Sequence, residues 1–155
     1  MSKPIPDGYH AVTPYLVCAD AERAIDFYEK VFGAEERMRI AAPDGKIGHA
    51  ELVIGGSTIM LADEHPEMGA RAPGAFGGSP VTLVLYVADV DATVARAVES
   101  GARVQRPVED KFYGDRMGTI VDPEGHVWHV ATHIEDVPQD ELLRRAAEVV
   151  KAAAG

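Results

Sequence analysis

Apolar and polar positions change period several times along this chain, and each change marks an element. Residues 11–17 alternate around β-branched and aromatic side chains, which is the period-two pattern of a strand. Asp20 then stands as a helix cap before apolar positions at Ala21, Ala24, Ile25, Tyr28, Val31 and Phe32, and Gly33 ends the run. Strands are expected over 36–41, 46–54 and 57–62, the last two joined by Gly55-Gly56, a strong hairpin signal. Residues 63–80 are rich in glycine and proline, show no period, and read as a long connection or a flap. The order then repeats. A strand over 81–87 leads to Asp89, and a helix carries Val90, Val94, Ala97 and Val98 on one face and closes at Gly101. Strands follow over 103–108, 115–121 and 126–132, and Pro138 starts a last helix with Leu142, Leu143, Ala146, Val149 and Val150 on one stripe.

The repeat has a fixed offset. Gly114 lies 69 residues beyond Gly45, Gly125 69 beyond Gly56, and Asp89 69 beyond Asp20. A duplicated β-α-β-β-β unit implies a pseudo-two-fold, and curved sheets so related enclose a cavity. The expected division is an arm over 1–8, a first module over 9–62, the connection 63–80, a second module over 81–133 and a C-terminal helix over 134–155.

Counting outward from the Gly55-Gly56 turn pairs Leu52 with Ile59 and Glu51 with Met60, and paired residues share a face. Ala50, Leu52, Ile54, Ile59 and Leu61 are apolar enough to lie beneath the helices. His49, Glu51, Thr58 and Met60 then face the cavity. The second hairpin divides likewise, with Trp128 and Val130 toward the helices and Val127, His129 and Ala131 toward the cavity.

A carboxylate in mid-strand is costly to bury, so Glu51 is the sharpest candidate, with a solvated open sheet face as the plain alternative. His129 alone reads as a satisfied core histidine. Glu51 and His129 on opposite walls of one cavity read as an acid–base pair or shared metal ligands. Tyr113, Asp115 and Arg116 cluster in a glycine-bearing turn. Arg116 there suits an anionic substrate group, or else a surface ion pair with Asp115 or Asp122. Thr13, Tyr15, His49, Met60, Thr82, Tyr113 and Arg116 form the substrate-binding set.

Composition narrows the partners. Apolar residues make up 46% of the 155, as in a globular domain, and the net charge of −10 argues against nucleic acid or an anionic membrane. That acidity gives a modest attraction for cationic ligands. The single cysteine, Cys18, lies in an apolar run and suits a reducing cytoplasm as a structural thiol. No stretch reaches membrane-spanning length.

The motifs Asp20-Ala21-Glu22-Arg23-Ala24-Ile25-Asp26-Phe27-Tyr28, Phe32-Gly33 and Asp122-Pro123-Glu124-Gly125-His126, within a duplicated β-α-β-β-β order, resemble the vicinal oxygen chelate superfamily. That superfamily includes glyoxalase I, fosfomycin- and bleomycin-resistance proteins and extradiol dioxygenases. Ile47 to Leu52 and Phe112 to Arg116 are similar to its PhnB-like subgroup. The resemblance implies an α+β fold in which two paired β-α-β-β-β modules form a cupped mixed sheet around a cavity. It also implies a homodimer. Matched to the family's ligand positions, Thr13, Met60, Thr82 and His129 offer one competent ligand where a divalent metal needs about three. No cofactor is therefore expected, with a divalent metal on His129 and Glu51, and His49 as third ligand, left open. Three functions stand. They are a metal-free enzyme using Glu51 and His129 for proton transfer, a non-catalytic ligand or drug sequestrant, and a metal-dependent lyase, isomerase or dioxygenase with displaced ligands.

Overall fold

The computed structural model describes residues 1–155. Strand β1 (Tyr15–Cys18), helix α1 (Ala21–Phe32) and strands β2 (Glu35–Ala41), β3 (Ile47–Ile54) and β4 (Ser57–Asp63) form the first module. Strand β5 (Thr82–Tyr86), helix α2 (Val90–Glu99) and strands β6 (Arg103–Asp110), β7 (Asp115–Val121) and β8 (Val127–His133) form the second, and α3 (Gln139–Ala154) follows. Two 3-10 turns, Pro66–Met68 and Pro73–Phe76, and an antiparallel backbone bridge between His65 and Ala70 order the connection.

The strands form two four-stranded sheets rather than one, ordered β1-β4-β3-β2 and β5-β8-β7-β6. In each, the outer strand of the β-α-β crossover runs parallel to its neighbour and the remaining pairs are antiparallel. The helices start where the sequence caps them: Asp20 accepts from Arg23 N and Asp89 from Ala92 N, both at 3.1 Å. Beneath the helix N-termini, Asp63 takes the backbone N–H groups of Ala21 and Ile47, while Thr132, 69 residues on, takes that of Val90.

Two expectations are corrected. The first strand begins at Tyr15 and not at residue 11, because Pro14 has no N–H for a ladder; its carbonyl instead accepts from Met60 N. The 69-residue shift also fails on one side of the second hairpin. There the two-residue Gly55-Gly56 turn is replaced by a longer one, closed by Asp122 N to His126 O at 2.9 Å. His129 still lies 69 residues beyond Met60, but Thr119, not Ile120, takes the place of Glu51, since Thr119 pairs with His129 as Glu51 pairs with Met60.

The core lies between the sheets and the two helices. Ala50, Leu52, Ile54, Ile59 and Leu61 are buried there, with Trp128 and Val130 from the second hairpin. Tyr28, Phe32 and Trp128 stack across the modules with ring centroids 4.8–5.8 Å apart, an arrangement worth about 0.5–1.5 kcal/mol per pair beyond area burial.

The Asp122-Pro123-Glu124-Gly125-His126 turn is the clasp between the modules. Buried Asp122 accepts from Tyr28 Oη and Trp128 Nε1 on Oδ2, and from the N–H groups of Glu124 and His126 on Oδ1. Glu124 accepts from Ala19 N, Asp20 N and Arg23, and His126 Nε2 lies 2.8 Å from Val17 O. With the modules joined through helices and this turn, the other face of each sheet is left open.

Candidate functional site

The open face of the first sheet carries two rows of side chains set by register. Met38, Glu51, Met60 and Tyr15 align across β2, β3, β4 and β1, and His49 pairs with Ile40 one row away. Three of them form a hydrogen-bonded chain. Tyr15 Oη lies 2.9 Å from His49 Nδ1, and His49 Nε2 lies 2.8 Å from Glu51 Oε2. The other Glu51 oxygen accepts from Tyr9 Oη, brought back by the N-terminal arm. Arg37 flanks Glu51 at 4.0 Å, lies over the Tyr9 ring and donates to Thr58. Glu51 is 5% exposed, yet the bonds from His49 and then Tyr9 hold its carboxyl below the usual range against the opposing effect of burial.

The open face of the second sheet holds a cavity of about 720 Å³. Thr119, Met117 and His129 form its floor, Phe112 and Tyr113 one wall, and Val149 of α3 another. Thr119 Oγ1 is 2.7 Å from His129 Nδ1. Burial, and then the charges of Arg106 and Lys111, push the His129 imidazole below its ordinary pKa, so it is neutral at pH 7. Among the rim charges, Lys111 pairs with Glu109 and Asp110 with Arg116. Arg106 makes no ion pair, so the unspent charge of the cavity is positive although the whole chain is acidic.

The sequence-derived candidates fall into separate places. Tyr15, His49, Glu51 and Met60 share the first sheet, while Tyr113 and His129 share the cavity on the second. Within one chain, therefore, Glu51 and His129 do not face each other. Thr13 lies outside the ladder, in a smaller cavity of about 180 Å³ at the seam with Leu83, Val84 and Trp128, and Thr82 is exposed on β5. Arg116 binds Asp91 bidentately and Asp110 singly, at 2.8–3.0 Å, rather than Asp115 or Asp122. Asp115 accepts instead from Tyr86, with His133 beside it. Thr119 was recoverable by counting from the longer turn. Tyr9, Arg106 and Lys111 left no such signal, since the arm and β6 reach these faces only through tertiary structure.

A metal fits these residues poorly. Thr13, Met60, Thr82 and His129 contribute one imidazole, no three His, Cys, Asp or Glu side chains gather in one place, and both Glu51 oxygens are already engaged.

Paired β-α-β-β-β modules with one face of each sheet open are the architecture of a large superfamily. Residues 9–130 match the Glyoxalase/Bleomycin resistance protein/Dioxygenase superfamily, and the chain belongs to it. An uncharacterized protein of Mycobacterium bovis is 47% identical over 135 residues, covering 85% of this chain and 89% of the relative. TioX from Micromonospora sp. ML1 is similar in structure, with a TM-score of 0.62 at 30% identity over 81% of this chain and 99% of TioX. The fosfomycin resistance protein FosX from Listeria monocytogenes, complexed with Mn(II) and sulfate, shares the fold at a TM-score of 0.62. It is 16% identical over 88% of this chain and 97% of its own.

Proposed function

We propose that this protein binds a small organic anion in the cavity around His129, as a glyoxalase/bleomycin-resistance-type binder that works without the usual metal. The observation that carries the reading is the cavity itself, with an uncharged imidazole on its floor, aromatic walls and one unpaired cation, Arg106. An aromatic carboxylate suits it: the ring meets Phe112 and Tyr113, the carboxylate meets Arg106, and Thr119 and His129 supply polar contacts. This replaces the attraction for cationic ligands suggested by net charge. The motifs at Ile47 to Leu52 and Phe112 to Arg116 support a place in the PhnB-like subgroup, and the lone buried cysteine supports a cytoplasmic setting.

A homodimer is part of the reading. Each open sheet face exposes apolar side chains, Met38 and Ile40 on the first and Val84 on the second. A second copy placing its second module over the first would cover them, and would bring Glu51 of one chain toward His129 of the other.

The test is calorimetric titration of benzoate, phenylacetate and salicylate into the wild type and into Arg106→Gln. Arg106→Gln should weaken binding by about 1–2 kcal/mol, as expected for losing a hydrogen bond to a charged group at a partly solvated site. Binding indifferent to both Arg106→Gln and His129→Ala would place the ligand elsewhere, and no binding of any probe would remove the anion.

A further inference from the structure

We infer that Tyr15, His49 and Glu51 form a proton relay whose working end is the Tyr15 oxygen, a site for isomerising a small molecule that carries a proton acidified by a neighbouring carbonyl. It lies on the first sheet, apart from the His129 cavity of the same chain, and does not rest on the anion bound there, which is tested at Arg106.

The hydrogen positions follow from the partners. An ionised Glu51 only accepts, so the hydrogen between it and His49 belongs to Nε2. A neutral imidazole protonated on Nε2 has a bare Nδ1, which must accept from Tyr15 Oη at 2.9 Å. Burial, and then the Glu51 charge, raise the Tyr15 phenol above its usual pKa, so at neutral pH it is an O–H that donates. Its oxygen lone pairs then point away from His49. Tyr9 holds the second Glu51 oxygen, with Arg37 packed over Tyr9, so the carboxylate is fixed and His49 cannot easily rotate or change tautomer.

The chain runs from a buried end to an open one: Glu51 is 5% exposed and Tyr15 49%. This is the arrangement of an orienting carboxylate, an imidazole base and a presented oxygen. The substrate proton passes to Tyr15 Oη as the phenolic proton passes to His49 Nδ1, and the resulting imidazolium is stabilised by Glu51. Reversing the shift returns a proton at a different substrate atom and restores Tyr15. Nothing is oxidised or reduced and no second reagent is consumed. A phenol–imidazole base near neutral pH removes only activated protons, hence the adjacent carbonyl. Met38, Ile40 and Met60 on the same face would take the apolar remainder of the substrate.

The same relay makes the Tyr15 oxygen nucleophilic toward phenylmethanesulfonyl fluoride, which tests it without the substrate. The Tyr15 O–S bond forms, the S–F bond breaks, fluoride leaves and the phenolic proton moves to His49. Tyr86 is the internal control, since it is 58% exposed but donates its hydrogen bond to the Asp115 carboxylate and not to an imidazole. Peptide mass spectrometry should show Tyr15 modified well ahead of Tyr86. His49→Gln should slow Tyr15 by roughly 100-fold, the scale of a lost general base, and leave the Tyr86 rate and the melting temperature unchanged. Nitrogen-15 NMR should find His49 protonated on Nε2 in the wild type and shifted from that tautomer in Glu51→Gln. Tyr15 labelling no faster than Tyr86, labelling indifferent to His49→Gln, or a His49 proton on Nδ1 would each overturn the relay.

Discussion

At the scale of single residues, the carboxylates matter by what surrounds them. Asp122 is a buried acid with a full set of donors: a phenol, an indole and two backbone N–H groups satisfy it. Asparagine keeps the shape but turns an N–H₂ toward donors, leaving buried polar groups unpaired. Asp122→Asn should therefore cost about 2–4 kcal/mol in urea unfolding. Arg23→Ala, which removes a half-exposed partner of Glu124, should cost under about 1 kcal/mol. Equal losses would mean that the clasp is held by its surface ion pair. Here the sequence was legible in part. The Asp122 motif stood out by its repeat position and its resemblance, but its role in joining the modules depends on Tyr28 and Trp128. Glu51 was legible as a mid-strand carboxylate, and its His49 neighbour by alternation. Tyr9, which completes its shell, returns from 42 residues away and leaves no local trace.

At the scale of elements, periodicity gave both helices, both hairpins and their buried faces, because amphipathic patterns and caps are local properties. Register past the second turn was not local: the longer Asp122 turn shifts β7 against β3, and Thr119 replaces Ile120 opposite His129. Helix α3 shows a different limit. Its apolar stripe is plain in the sequence, yet no residue of α3 is buried, and Leu143 and Val150 stay exposed. The helix is tied down by Arg145, which donates to Phe112 O and Glu135, and its Val149 walls the His129 cavity. The segment leading to it docks on Gly114, whose carbonyl takes the N–H groups of Ile134 and Glu135. Gly114 has φ +98°, and a Cβ there would run into the Glu135 carbonyl oxygen. Deleting residues 138–155 should lower the melting temperature by only about 2–4 °C, since no core is lost, yet weaken benzoate binding through loss of the Val149 wall. Gly114→Ala should cost more stability than the whole deletion. A deletion that unfolds the protein would make α3 part of the core.

At the scale of the whole molecule, the two modules spend their best apolar surface on each other, through Tyr28, Phe32 and Trp128, and leave both concave faces open. The repeat made a cavity between modules the natural expectation from sequence. What it could not fix was which surfaces the modules use to meet, because helix faces and sheet faces are both apolar here and the choice depends on the inter-module clasp. In the homodimer proposed above, a second copy would close both open faces at once. Light scattering after gel filtration should therefore give about twice the 16.6 kDa chain mass. Ile40 is half exposed on the first face and outside the core, so Ile40→Glu should shift the protein toward monomer without lowering its unfolding free energy by more than about 0.5 kcal/mol. A monomer at high concentration in the wild type would defeat the assembly. It would leave the Tyr15 relay and the His129 cavity as separate, solvent-open sites on one chain.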